Sequence, residues 1–303
     1  RCGTARGQHR GGNTAFDRSL RMGLIKPHGP SFGRCSHNIS GTPAVLTVGT
    51  QFTSGAANAD GTAVGVLAAL AHDVEYLRIG FSGETLTAGI DNTCLISILI
   101  DPAGGTSWAT LIPSLLVSTA LLAVAGPYPV IFNFPIWIPA GASVGVQARS
   151  AAAATPPVLR TVMHAWGGNS NPASWWCGQR VTAIGIDAAN SRGTTHTPGS
   201  TGAFSSWANL GSALAVDAGA LQWAVSGEFG DAAWNQVFYE FQFGISDIMI
   251  GAPVMRSTMS NEQGWVMPTG LILNRAPSGS QIRVRATSNT GPQAHGVAAY
   301  AVS

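Results

Sequence analysis

The sequence has few charged residues. Only 10% of its 303 residues are Asp, Glu, Lys or Arg, against roughly a quarter in a typical soluble domain. Lys26 is the single lysine. A surface with so little charge repels its neighbours weakly. The composition therefore favours a subunit packed among others over a free enzyme.

Cysteine is scarce and scattered. The sequence contains no Cys-x-x-Cys pair and no histidines at zinc-finger spacing, which excludes a zinc finger. We predict no metal site and no cofactor. The cysteines are interpreted either as free thiols or as carrying one bridge, between Cys2 and Cys35. The four are Cys2, Cys35, Cys94 and Cys177.

Long hydrophobic runs are also missing. The longest apolar stretch, residues 111–125, contains Pro113 and several Ser and Thr residues. It is shorter than the roughly 20 apolar residues that a membrane-spanning helix needs, so we predict no membrane span. No signal peptide is visible at the start, Arg1.

Catalytic motifs are absent or out of context. Residues 29–33 match Gly-x-Ser-x-Gly, but Pro30 precedes the serine and no strand leads into the motif, as a nucleophile elbow requires. There is no His-Glu-x-x-His motif and no phosphate-binding glycine loop. We predict that the protein is not an enzyme and has no catalytic residues. A carboxylate pair such as Asp101 with Glu240 stays an alternative, because such pairs assemble in space.

The sequence contains an internal duplication. Six residues between positions 70 and 83 recur 144 positions later. Six between positions 139 and 150 are matched 138 positions later in the same order, five by the same residue and Val144 by Ile282. Such spacing indicates a tandem copy of one module of roughly 120 residues. The paired positions include Leu70 with Leu214, Asp73 with Asp217, Gly141 with Gly279 and Val146 with Val284.

Strand patterns dominate both copies. Apolar residues alternate with Phe238, Glu240 and Gln242 in one segment and with Arg283 and Arg285 in another, the period of a half-buried strand. Clusters in which a Gly follows a Pro, such as residues 139–141 and 277–279, separate such runs. The Pro sets φ and the Gly admits a positive φ, so each cluster is predicted to reverse the chain. No amphipathic helix is evident. We predict an all-β protein with two tandem jelly-roll-like β-sandwiches. The predicted parts are an extended basic arm (1–40), the first sandwich (41–168), a join (169–177) and the second sandwich (178–303).

The arm and the join hold the candidate interaction residues. Seven of the 16 basic residues lie before residue 38, opposed there only by Asp17, so this segment carries about +6. We expect the arm to dock on a neighbouring subunit, through residues such as Arg6, Arg10, Arg18 and Arg21. It lacks the aromatic series typical of nucleic-acid binding, so we predict no nucleic-acid partner.

Tryptophans give a second set of candidates. Trp175 and Trp176 lie in the join, where they either cover the seam between the sandwiches or contact a glycan or protein receptor. A lectin would need Trp175, Trp176 or Trp207 exposed beside polar side chains. The tryptophans in or beside strands are predicted to be core residues: Trp137, Trp166, Trp207 and Trp223.

A family resemblance completes the picture. It rests on residues 94–108 (Cys-Leu-Ile-Ser-Ile-Leu-Ile-Asp-Pro-Ala-Gly-Gly-Thr-Ser-Trp), 111–116 (Leu-Ile-Pro-Ser-Leu-Leu), 134–141 (Phe-Pro-Ile-Trp-Ile-Pro-Ala-Gly) and 144–149 (Val-Gly-Val-Gln-Ala-Arg). This set resembles virion proteins of tailed bacteriophages and gene-transfer-agent-like particles. The resemblance covers about 60 residues of the first copy, and the second copy repeats it only in part.

The resemblance implies a structural component on the exterior of a phage-like particle. A tail, fibre or baseplate position is favoured over a head decoration or spike. The partners would be other virion subunits, further copies in a homo-oligomer and a host surface glycan or receptor. A carbohydrate-binding protein with tandem sandwiches is the alternative from another class.

Overall fold

Alternating apolar and polar residues form β-strands throughout the described part of this protein. The computed structural model describes residues 34–38, 41–42, 45–46, 49–85, 93–118, 129–151, 156–167, 176–186, 192–200, 202–228, 237–246, 248–250, 254–258, 266–289 and 293–303. Within these ranges there is no helix, and therefore none that could cross a membrane. The predicted all-β sandwich fold is confirmed.

Among the described residues, the part of the chain up to residue 167 contains twelve strands. They are β1 (Arg34–His37), β2 (Gly41–Thr42), β3 (Val45–Leu46), β4 (Thr50–Thr53), β5 (Gly55–Ala57), β6 (Val64–Leu67), β7 (Val74–Thr85), β8 (Thr93–Asp101), β9 (Ala109–Ser118), β10 (Val130–Phe134), β11 (Ser143–Ser150) and β12 (Val158–Gly167).

The described residues after position 167 form ten more strands. They are β13 (Val181–Ile184), β14 (Thr194–His196), β15 (Ala208–Asn209), β16 (Ala220–Glu228), β17 (Val237–Ile245), β18 (Ile248–Met249), β19 (Val254–Thr258), β20 (Met267–Pro268), β21 (Ile282–Ser288) and β22 (His295–Val302).

The first sandwich has jelly-roll connectivity. One sheet has the order β1-β12-β7-β10, with β4 also on β12, and the other has the order β5-β11-β8-β9, with β6 also on β11. Among the described strands of this sandwich, only β8 and β9 form a hairpin of long neighbouring strands. Most other connections cross from one sheet to the other, as in a jelly roll. Strand β1 belongs to this sandwich, although the sequence analysis placed its residues in the arm.

The second sandwich repeats this arrangement. Its sheets have the orders β13-β22-β16-β20, with β14 on β22, and β15-β21-β17-β18, with β19 on β17. Equivalent hydrogen bonds recur in both copies. Asp73 Oδ1 accepts from Ala140 N at 2.7 Å, and Asp217 Oδ1 accepts from Ser278 N at 2.8 Å. The duplication read from the sequence therefore recurs in three dimensions.

A glycine turn closes the same loop in each copy. Gly141 N donates to Leu70 O at 2.7 Å, and Gly279 N donates to Leu214 O at the same distance. The two glycines have φ of +85° and +84°, a region that side chains disfavour. The turn glycine was thus retained with the strands that it joins.

Two apolar clusters fill the sandwiches. The core of the second includes Trp223, Tyr239, Phe241 and Phe243, all fully buried. The core of the first extends beyond its own strands and includes residues of the second sandwich. These shared residues are Val181, Ala220, Ala224, Val266, Ala298, Tyr300 and Val302.

The paired glycines provide a test of the duplication. We expect Gly141→Ala and Gly279→Ala each to lower the free energy of unfolding by about 1–2 kcal/mol, the cost of a left-handed L-residue, because both sites have open space for the methyl group. Urea denaturation followed by tryptophan fluorescence measures this loss.

Gly270→Ala is the matched control. This glycine also has open space around it but no positive φ, so its substitution should cost little. A negligible loss at Gly141 or Gly279, or a loss at Gly270 of similar size, contradicts the strain argument.

Candidate interaction surfaces

The first sandwich ends in two edge strands on the same side. Strand β9 closes one sheet and β10 closes the other. An edge strand carries backbone N–H and C=O groups without a neighbouring strand, and such groups pair readily with other chains. Both edges here meet the outer face of the β13-β22-β16-β20 sheet in the second sandwich.

Tyr300 of β22 connects the two sandwiches. Its ring packs edge-on against Phe132 and Phe134 of β10, with centroids 5.6 and 6.2 Å away. Its hydroxyl accepts from Leu116 N at 2.6 Å and donates to Ser114 O at 3.2 Å. Tyr300 is fully buried, and burial raises the pKa of its phenol. One side chain thus satisfies two backbone groups of the β9 edge.

The conformation of β9 presents these groups. Ser114 has φ of +49°, and the pairing of β8 with β9 shifts register on either side of Ile98, as at a β-bulge. Pro113 lies at this irregularity, where its missing N–H costs no ladder bond. Residues 111–116, part of the phage-protein resemblance, therefore form the edge that Tyr300 contacts.

Further hydrogen bonds complete the contact between the two sandwiches, which we call the joint. Gln222 Oε1 accepts from Asn133 N of the β10 edge at 3.1 Å, and Gln222 Nε2 donates to Thr269 O at 2.7 Å. Gly178 and Trp137 join the two halves through Trp137 N to Gly178 O at 2.8 Å. The side chains of one sandwich thereby cap both free edges of the other.

A second candidate surface is the outer face of strands β17 and β21. Arg285 and Gln242 are direct partners across the two strands. Trp207 directly precedes β15, whose Ala208 pairs with Val284. The register therefore places Arg285 between two neighbours: Trp207 lies on one side of it, and Gln242 lies on the other side.

The Arg285 guanidinium is held from several sides. It lies 4.6 Å from the ring centroid of Trp207 and 5.0 Å from that of Phe204. Its Nε donates to Gln242 Oε1 at 2.9 Å, and Gln242 Nε2 in turn donates to Glu240 Oε1 at 3.2 Å. We name these five residues the β21 platform: Phe204, Trp207, Glu240, Gln242 and Arg285.

Ser205 fixes the loop that carries both rings of the platform. Its N–H donates to Ala286 O at 2.9 Å, and its hydroxyl accepts from Ala286 N at 3.1 Å. The same hydroxyl lies 3.1 Å from His196 Nε2. Burial lowers the pKa of His196, so the neutral imidazole is favoured as the hydrogen-bond partner of Ser205.

The sequence-predicted interaction residues divide into two groups. Trp176 is 46% exposed, and its ring lies against Gly219 of the second sandwich. The other five candidates lie outside the described residues, so their roles stay predictions: Arg6, Arg10, Arg18, Arg21 and Trp175. Cys2 also lies outside, whereas Cys35 is an exposed free thiol.

The core prediction for four tryptophans is correct only for Trp223. Trp137 is 41% exposed, and Trp166 and Trp207 are half-buried. A strand position alone does not set burial, because residues on the outer sheet face stay accessible. The seam between the sandwiches is filled by Tyr300, which the sequence analysis did not single out.

The groups considered for catalysis have structural contacts. Asp101 accepts from Ala103 N at 2.9 Å and Ser107 N at 2.7 Å, and thus caps its own turn. Glu240 lies in the other sandwich and binds Gln242. Burial, together with nearby Glu75, raises the pKa of the Cys177 thiol. Within the described ranges, no three His, Cys, Asp or Glu residues form a group that could hold a metal.

No protein-family model matches this chain, and no curated protein matches it. Solved structures with a similar arrangement include a peptide-N(4)-(N-acetyl-β-D-glucosaminyl)asparagine amidase. That structure has 8% identity and a TM-score of 0.37, and the match covers 89% of this chain and 96% of the amidase.

Two further neighbours represent other classes. The tandem CBM22-1–CBM22-2 domain of Paenibacillus barcinonensis Xyn10C has 11% identity and a TM-score of 0.26, covering 89% of this chain and 92% of that one. The infectious bursal disease virus VP2 subviral particle has 12% identity and a TM-score of 0.25, covering 78% of this chain and 58% of VP2. At these scores none of the likenesses carries an argument about this chain.

Tyr300 provides a test of the edge capping. We expect Tyr300→Phe to lower the free energy of unfolding by about 1–3 kcal/mol, because the buried Leu116 N–H and Ser114 C=O lose their partner. Urea denaturation measures the loss. Unchanged stability of Tyr300→Phe would contradict the proposed capping.

His196 yields a pH dependence. Because burial lowers its folded-state pKa below the ordinary 6.5, the unfolded chain takes up a proton first as the pH falls. Stability from this group is complete above about pH 6.5 and declines below it, by at most about 1.4 kcal/mol per pH unit. Denaturation between pH 7.5 and 5.5 should show a shallower slope for His196→Gln than for the wild type. Equal slopes would contradict the argument.

Proposed function

We propose that this protein is a non-enzymatic structural subunit on the exterior of a phage-like virion. A tail, fibre or baseplate position is favoured, with a head decoration or spike as the alternative. The observation that carries the proposal is the joint, where Tyr300 enters the core of the first sandwich and binds the β9 edge. Such a joint gives a rigid two-sandwich body, which suits a load-bearing subunit.

The resemblance to phage virion proteins supports the same function. Its residues build β8, β9, β11 and the Gly141 turn, and these elements form the scaffold and the docking edge. Asp101, inside the resembling segment, is occupied in capping its turn. These roles are structural, as expected for a component that holds its shape within an assembly.

The partners follow from the same proposal. Neighbouring virion subunits would contact the basic N-terminal arm, and the protein would occur as a homo-oligomer, since repeated presentation increases avidity. A host surface glycan or receptor would contact an exposed face of the sandwiches. The second candidate function, a carbohydrate-binding tandem sandwich, is favoured by one observation: Trp207 lies half-exposed beside polar side chains.

The arm provides the test. Strand β1 begins at Arg34, so a deletion must end before it to leave the sheet intact. We expect a variant lacking residues 1–31 to keep the wild-type denaturation midpoint but to be missing from purified particles. Electron microscopy of particles carrying the full-length protein should give its position and copy number.

A charge-reversed variant separates docking from mere chain length. Replacing Arg6, Arg10, Arg18 and Arg21 with Glu keeps the arm but removes its positive charge. Loss of incorporation supports docking through these arginines. Normal incorporation of the deletion variant would overturn arm docking, and absence of the full-length protein from particles would overturn the virion function.

A further inference from the structure

We propose that the β21 platform binds a saccharide that carries a carboxylate, such as a uronic or sialic acid unit of a surface polysaccharide. The platform is the set Phe204, Trp207, Glu240, Gln242 and Arg285. The inference concerns the second sandwich alone. It adds a ligand class to the structural function proposed above and does not depend on where the protein sits in a particle.

Arg285 presents a prepared anion-binding fork. Its Nε is used by Gln242, whereas its Nη1 and Nη2 have no hydrogen bond or ion pair to any residue that the structure describes. A guanidinium binds a carboxylate through two parallel N–H bonds in one plane. The bond at Nε and the rings of Trp207 and Phe204 fix that plane before a ligand arrives, so little entropy remains to be lost on binding.

The rings are themselves fixed. Trp207 lies against Gly244, where a Cβ would come within 3.0 Å of the indole. Ser205 anchors the loop between the two rings through both backbone groups of Ala286. The platform therefore belongs to the rigid sheet rather than to a free loop, as precise ligand binding requires.

The surrounding groups favour a sugar over an acidic peptide. Glu240 lies on the same sheet face, two residues from Gln242. Its carboxylate repels a run of negative charges but accepts hydrogen bonds from hydroxyl groups. Arg283 and Asn209, joined by a 2.6 Å hydrogen bond, extend the face with further polar groups. A saccharide offers one carboxylate for the fork and several hydroxyls for these neighbours.

The equivalent face of the first sandwich lacks the fork. The position of Arg285 corresponds to Gln147, whose Nε2 donates to Gly61 O at 2.9 Å, and the position of Arg283 corresponds to Gly145. Since both copies fold alike, the sheet does not need an arginine there for stability. The fork is an addition specific to the second copy.

The test is titration calorimetry of the full-length protein with hexagalacturonate, hexagalactose and a glutamate hexapeptide. We expect hexagalacturonate alone to bind, with an affinity that falls as salt is added. Arg285→Lys should weaken binding at least tenfold, because lysine keeps the charge but not the fork. Trp207→Ala should also weaken hexagalacturonate binding, because the Arg285 guanidinium loses one of the two rings that hold its plane.

Arg149→Lys in the first sandwich is the matched control and should bind like the wild type. Denaturation midpoints of all variants verify that each is folded. Three results would overturn the inference: no binding of hexagalacturonate, equal binding of hexagalactose or the glutamate peptide, or unchanged affinity in folded Arg285→Lys. None of these outcomes bears on the presence of the protein in particles, which microscopy tests separately.

Discussion

The structure depends on satisfying two free sheet edges. Strands β9 and β10 end the sheets of the first sandwich, and their unpaired backbone groups would otherwise invite association. The Tyr300 hydroxyl and the Gln222 amide satisfy part of that demand. Because both side chains project from the second sandwich, the first cannot complete its edge alone. The shared apolar cluster follows from this dependence, since the capping face must be buried to keep water from the edge.

Duplication supplied the scaffold, and divergence supplied the joint. In the second copy Trp223 pairs with Ala299 and in the first Ile79 pairs with Met163, so Tyr300 corresponds to His164. At that position His164 stacks on Trp166 with centroids 5.2 Å apart. Burial and the nearby His37 and Arg78 side chains lower the pKa of His164. The sheet face around His164 is therefore more polar than the face around Tyr300. Equal folds thus present different chemistry at equivalent positions.

Local patterns in the sequence predicted the scaffold well and the contacts poorly. Alternation around Glu240 and Gln242 predicted β17, and the Pro-Gly turns predicted the positive φ at Gly141 and Gly279. Tyr300, in contrast, is one aromatic residue in an Ala-rich strand, and its partner Leu116 is 184 residues away. Alternation also predicted that Arg285 points outward. It did not predict the two rings beside Arg285, because they come from a loop about 80 residues earlier. Contacts over such separations depend on how whole sheets pack, which no local period encodes.

The two outer sheet faces show what the fold requires and what it leaves free. In the first sandwich the Trp108 ring lies against Gly65 and Gly145, and in the second the Trp207 ring lies against Gly244. These tryptophans come from different loops, yet each covers a glycine on the corresponding sheet. Both sandwiches thus pack an indole ring against this sheet, although the ring comes from a different place in the chain. An arginine beside the ring is needed in neither case, because Gln147 occupies that position in an equally well-formed sheet. A positive charge held half-buried between rings costs desolvation, and its contacts with Trp207, Phe204 and Gln242 offset that cost. The corresponding position of the first sandwich folds without an arginine, so the fold itself does not require this arrangement.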